Sequence, residues 1–131
     1  MTLDANVRFV NGIAVVDMHG RLMFGSTGER LRDMLMDLFE QGHSRILLNL
    51  SVVQHVDSGG LGDLVAAHAA ITRRGGTLKL AQPPDKVRNM LRMTHIDSLF
   101  ETYDDEASGL ASFGSSDTGN RSDTLTDFFN G

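Results

Sequence analysis

Arg45-Ile46-Leu47-Leu48-Asn49-Leu50 is the segment that most narrows the folds open to this chain. Successive side chains of a β-strand point to opposite faces, so a run that is apolar on neighbouring positions describes a strand covered on both sides. Turn chemistry flanks the run, which favours a short inner strand over a helix. Such a strand needs neighbours at both edges and other elements above and below it. The 131 residues, 40% hydrophobic and 22% charged, are enough for one such domain. With 7 Phe, 1 Tyr and no Trp, the core has to be aliphatic and methionine-rich.

The segments around this strand alternate in period. Residues 6–10 alternate polar and apolar, and Asn11-Gly12 is the pair that tolerates positive φ at both centres of a type I′ turn, so a β-hairpin opens the chain. Its second strand is expected to run from Ile13 to about Met18, with Gly20 breaking the pattern. Leu31, Met34, Leu35, Leu38 and Phe39 then form a helical stripe, with Ser26 and Glu29 as a capping box and Gly42 as the stop. Leu61, Leu64, Val65, Ala69 and Thr72 mark a second helix, ended by Gly75-Gly76. A strand at 77–80 follows, then a helix opened by Pro83-Pro84-Asp85 that carries Val87, Met90 and Leu91. A short strand at 99–103 and a last helix at about 105–113 complete the series. Residues 114–131 are rich in Ser, Thr, Gly, Asp and Asn and read as a flexible polar tail, within which Leu125, Phe128 and Phe129 form one candidate docking motif. The architecture is α/β: a mixed sheet of four to five strands packed with about four helices, in one domain over 1–113.

Charge and composition exclude several functions. Twelve basic against seventeen acidic residues give a net charge of −5, which disfavours direct nucleic-acid or anionic-membrane binding. The absence of Cys removes disulfides, thiolate metal sites and a cysteine nucleophile. The five histidines, His19, His43, His55, His68 and His95, never form a close i, i+4 pair, so they are assigned structural or surface roles and no metal is expected. Met18, Met23, Met34, Met36, Met90 and Met93 are read chiefly as adaptable core, with an exposed subset available for binding. The opening residues carry no basic region followed by an apolar run, and no segment approaches the roughly 18 apolar residues of a spanning helix. A cytoplasmic, soluble protein is the expectation.

Asp57-Ser58-Gly59-Gly60 joins a buried strand to a helix, where open α/β sheets present their sites. Asp57 or Ser58 suits an N-cap, and the same geometry leaves a hydroxyl beside helix-terminal N–H donors, where a phosphoryl group is well received. A cap and a modified serine are compatible readings. Enzyme readings of this turn fail on spacing. Val56 stands where a nucleophile elbow has Gly, Gly62-Asp63 replaces the Gly-Lys of a P-loop, and Gly59-Gly60-Leu61-Gly62 lacks the dinucleotide fingerprint. No nucleophile–base pair is visible, so neither an enzyme nor a cofactor is expected.

Taken in order, Ile46-Leu-Leu-Asn-Leu50, Val56-Asp-Ser-Gly-Gly-Leu-Gly62, Gly75-Gly76 and Val87-Arg-Asn-Met-Leu91 resemble the STAS domain, and specifically the bacterial anti-sigma-factor antagonists. The resemblance covers about residues 7–113. It implies that Ser58 is phosphorylated by a partner anti-sigma factor, a serine kinase of the GHKL ATPase type that brings its own ATP and magnesium, and that a serine phosphatase resets it. The dephosphorylated form would bind the kinase and free a sigma factor, using Arg21, Met23, Asp57, Ser58, Gly59, Gly60 and Leu61. The chain departs from the family pattern in carrying Gly59 after the acceptor, and Gly20-Arg21-Leu22-Met23 where members commonly have acids. Arg21 suits a phosphate or an acidic partner instead. The other functions the resemblance leaves open are a signalling scaffold, a small-ligand or nucleotide-binding regulatory subunit, and a soluble transporter-associated subunit.

Overall fold

A computed structural model describes residues 3–23 and 25–114. The order is β1 (Leu3–Val10), β2 (Ile13–Leu22), α1 (Ser26–Glu40), β3 (Arg45–Val56), α2 (Ser58–Arg73), β4 (Thr77–Ala81), α3 (Asp85–Met93), a 3-10 turn (Ile96–Ser98), β5 (Thr102–Tyr103) and α4 (Glu106–Ala111). The five strands lie in sequence order, β1 antiparallel to β2 and the rest parallel. Asn11 and Gly12 both have positive φ, 52° and 80°, as the type I′ hairpin requires.

The apolar run behaves as its composition demands. Ile46, Leu48 and Leu50 join Ala14, Val16, Met18, Leu78 and Leu80 in a core beneath α1, α2 and α3. Leu47 points the other way, with Ile13, Val15 and Ala81, toward Leu110 and Phe113 at α4. Helices therefore cover both faces of the inner strands.

Several expected boundaries shift. β2 continues past Gly20 to Leu22, because register irregularities between Asp17 and His19 and between Gly20 and Arg21 let it stay paired with β3. β3 runs to Val56, well beyond the apolar run, since Val52, Val53, His55 and Val56 still pair with β2 after β4 has ended opposite Asn49. The N-cap of α1 falls one residue before Ser26. Gly25 is the N-cap of α1, and the entry is instead held by Thr27, whose Oγ1 accepts from Met23 N–H at 2.8 Å and donates to Met23 O at 3.0 Å. On α2 the buried stripe is Leu61, Leu64, Ala67 and Ile71, and Thr72 is exposed, because the covered face is rotated from the expected one. The strand expected at 99–103 contracts to Thr102–Tyr103, its first part following the 3-10 turn. Met93 is 80% exposed, not core. The tail from 115 onward, with Leu125, Phe128 and Phe129, lies outside the described residues.

A six-residue helix has little stability of its own, so α4 depends on its anchors. Arg8 on β1 holds Asp17 through Nε (2.6 Å to Oδ2) and Nη2 (2.9 Å to Oδ1), and reaches Glu106 Oε1 through Nη2 at 2.5 Å. Asn49 Nδ2 donates to Glu106 Oε1 at 3.1 Å and to Gln82 Oε1 at 2.9 Å. At the far end of the helix the buried Lys79 ammonium donates to Ser112 O and Oγ, both at 3.1 Å, and lies 4.6 Å from the Phe113 ring centroid. The Arg8 guanidinium holds the Asp17 and Glu106 carboxyls below their ordinary pKa values, with Asn49 adding to the effect on Glu106. Carboxyls that are more acidic in the folded state contribute stability that is complete above the ordinary carboxylate range, about pH 4, and is lost as pH falls through the lower folded values. Urea titrations at stepped pH should show this acid loss in the wild type, and Arg8→Gln should flatten it while lowering stability near neutrality.

Candidate functional site at the start of helix α2

The turn between β3 and α2 is fixed from three directions. Asp57, in extended conformation, is the N-cap: its carboxylate accepts from Gly60 N–H at 2.7 Å, and its carbonyl accepts from Leu61 N–H at 2.9 Å. Its own N–H donates to Leu22 O at the end of β2, 3.1 Å away. Gly60 packs directly on that strand end, so that a Cβ at residue 60 would run into the Leu22 carbonyl and lie 2.6 Å from its carbon. The glycine is required by close approach, not by an unusual φ.

This arrangement leaves Ser58 exposed as the first residue of α2. The positive end of the helix dipole and the first-turn N–H groups lie at that position, a setting that receives an anion well. Arg21 is exposed and pairs with His55 across the β2–β3 ladder, and Met23 is half-buried immediately after the strand. Both are therefore on the segment against which Asp57 and Gly60 pack. Gly60 and Leu61, expected at the binding surface, lie beneath it: both are buried, Leu61 at 2% exposure, and they shape the turn from below. Among the sequence-nominated residues, the ones presented outward are Arg21, Met23, Asp57, Ser58 and Gly59.

Two further groups of residues matter here that the motif reading did not single out. Thr27 and Gly28 secure the loop of Met23: Thr27 is 6% exposed, and Gly28 N–H donates to Met23 O at 3.1 Å. A side chain at Gly28 would strike the Asp63 carboxylate, which pairs with Arg32 at 3.3 Å and so ties α1 to α2. The only sequence signal was the cluster of small residues after β2. On the other flank, α3 presents Lys86, Met90 and Met93 beside His55 and Val56, around open clefts of about 160 and 360 Å³. Met93 is 80% exposed and Met90 partly buried, and together they give an adaptable apolar surface. His68 is not part of this surface. Its ring lies 4.6 Å from that of Phe100, and burial lowers its pKa.

The fold is that of a small α/β module with the serine turn at the carboxyl end of its parallel strands. The STAS domain model matches residues 4–109, and the chain belongs to that family. A candidate anti-sigma factor antagonist of Thermotoga maritima is 34% identical over 68 residues, 52% of this chain and 60% of that protein. The anti-sigma F factor antagonist of Paenibacillus polymyxa is 24% identical over 111 residues, 84% of this chain and 94% of its own length. Among solved structures, the Thermotoga maritima protein superposes with a TM-score of 0.76 at 24% identity, covering 82% of this chain and 92% of that one. SpoIIAA of Bacillus in its phosphorylated form superposes at 0.65 and 16% identity, covering 84% and 99%. No helix among the described residues is long and apolar enough to cross a membrane.

The turn makes opposite demands on two neighbouring glycines. Gly60→Ala should destabilise the protein by about 1–3 kcal/mol, because the added methyl meets backbone that cannot retreat. Gly62→Ala, which meets nothing within 4 Å, should be neutral or stabilising by up to about 1 kcal/mol through helix propensity. Urea unfolding of the two variants beside wild type checks both.

Proposed function

We propose that this chain is an anti-sigma factor antagonist whose binding is switched by phosphorylation of Ser58. The observation that carries the reading is the exposed Ser58 at the start of α2, held on a turn fixed by the Asp57 cap and by Gly60 against Leu22. The names of its relatives support the same reading. The dephosphorylated surface, with Ser58, Gly59, Arg21 and Met23 together, binds an anti-sigma factor that is a serine kinase of the GHKL ATPase type, and a sigma factor is released. The kinase transfers the γ-phosphoryl group of its own ATP to the Ser58 oxygen, which gives up its proton, and ADP departs. A serine phosphatase restores the hydroxyl. In this scheme the chain is substrate and switch, not catalyst.

The physical effect of the modification is local. Phosphoserine adds about −1.5 to −2 charge at neutral pH. It does so beside the Asp57 carboxylate and in the middle of a contact surface, where each tenfold loss of affinity corresponds to about 1.4 kcal/mol. Arg21 takes the place of an acid common in the family, and suits a partner whose facing surface is acidic.

Pull-downs from the native organism's lysate with wild type, Ser58→Ala and Ser58→Asp as bait, followed by phosphosite mass spectrometry, test the proposal. The Ala form should retain a GHKL-type kinase, the Asp form should lose at least tenfold in affinity for it, and wild type should carry phosphate on Ser58. Equal binding of the two variants, with no phosphate on Ser58, would reduce that serine to the first residue of a helix. Arg21→Glu should weaken the same complex, read as a loss of affinity beside wild type.

A further inference from the structure

Strand β1 is a long and regular sheet edge. It is eight residues long and, among the described residues, pairs only with β2, in an unbroken register from Leu3 opposite Gly20 to Val10 opposite Ile13. Natural sheets guard such edges with proline, charged side chains, a bulge or brevity. The opposite edge, β5, is two residues long, whereas β1 is long, free of proline and bulges, and guarded only by the charges of Asp4 and Arg8. Asp4, Ala5, Asn6 and Phe9 are exposed, Phe9 at 59%.

The hairpin turn determines which backbone groups this edge presents. A β-turn at Asn11-Gly12 makes Val10 and Ile13 a hydrogen-bonded pair. Alternation along the ladder then directs the N–H and C=O groups of Arg8, Asn6 and Asp4 toward β2, and those of Phe9, Val7, Ala5 and Leu3 outward.

We propose that β1 pairs antiparallel with β1 of a second copy about a two-fold axis at Asn6, joining two sheets into one. In this register Leu3 falls opposite Phe9 of the second copy and Ala5 opposite its Val7. All four have outward backbone groups, as hydrogen-bonded pairs require. Asp4 then stands opposite Arg8, twice by symmetry, at the positions where facing side chains approach most closely. The neighbouring allowed registers set Asp4 opposite Asn6, or Asn6 opposite Arg8, and lose this charge match. Arg8 is already held in place on that face by Asp17 and Glu106. Asp4 of the second copy would therefore be a third carboxylate on one guanidinium, which makes the pair weak and a concentration-dependent dimer the expected form. The axis lies two strands away from β3, so each copy keeps its own Ser58 turn accessible.

The chain has no cysteine, which allows a register-specific test on the full chain. Facing residues at a non-hydrogen-bonded pair lie about 4.5 Å apart between Cα atoms, within disulfide reach. Asn6→Cys should therefore oxidise to a covalent dimer far faster than Asp4→Cys, whose counterpart lies several residues away across the axis. Sedimentation of the wild type should show a dimer that grows with concentration. Val7→Pro removes an outward N–H without touching the β2 ladder, and should keep the native circular dichroism while sedimenting as a monomer. A wild type that stays monomeric, equal oxidation rates at positions 4 and 6, or a folded Val7→Pro that dimerises like wild type would each overturn the proposal. If Val7→Pro fails to fold, the two cysteine variants decide the register alone.

Discussion

The first half of β3 has no solvent face, and the rest of the structure is arranged around that constraint. Ile46, Leu48 and Leu50 require a layer on one side and Leu47 requires one on the other. Three helices cover the first side, but the second is left to α4, which has only six residues. Short helices do not persist on propensity alone. Asn49, the polar residue inside the apolar run, resolves the problem: it is 6% exposed and joins β3 to Glu106 of α4 and to Gln82 just after β4. Arg8 and Lys79 secure the two ends of the same helix. A polar network thus completes a cover that apolar contact alone would leave thin.

The same strand also sets the position of the Ser58 turn. β4 stops opposite Asn49, and β3 continues with β2 as a two-stranded ribbon that carries the chain beyond the sheet before α2 turns back. The turn therefore emerges at the carboxyl end of the strands, where α/β sheets present their ligand sites. The end of β2 comes with it, and Leu22 is gripped both by the Asp57 N–H and by Gly60. One junction places the serine turn and the Arg21–Met23 segment on a common surface.

Elements and site were legible in the sequence to different degrees. The hairpin turn, the inner strand, the Asp57 cap and the stop of α1 each follow from local chemistry, since Asn-Gly, an apolar run, Asp before a helix and a terminal Gly act within a few residues. The length of β3 was not legible, because residues 51–56 alternate weakly and remain extended only through pairing with β2. The start of α1 was misread for a related reason: Ser26 and Glu29 satisfy the capping pattern, yet Thr27 secures the loop through Met23. The tie between Arg8 and Glu106 spans 98 positions and leaves no local trace. Gly60 was legible as a turn residue, but its reason, the carbonyl of Leu22, is a tertiary contact. Leu61 was legible as the first residue of the apolar stripe of α2, and it is buried at 2% exposure.

A turn held this firmly constrains how phosphorylation at Ser58 acts. The cap on Gly60 N–H and the contact with Leu22 leave the backbone little freedom to rearrange, although phosphoryl oxygens would be acceptors beside the same first-turn N–H donors. The proposed switch therefore works mainly through the surface itself, by adding charge and bulk where a partner must sit closely, while the fold beneath is unchanged. A switch of this kind needs no second conformation of the domain, only a contact surface that tolerates a hydroxyl and rejects a dianion. Gly59, with no side chain, leaves room beside the acceptor, and Arg21 brings a positive charge to the adjoining strand end. In this proposal discrimination between the two states rests on the partner's facing residues, because the module would present the same backbone in both.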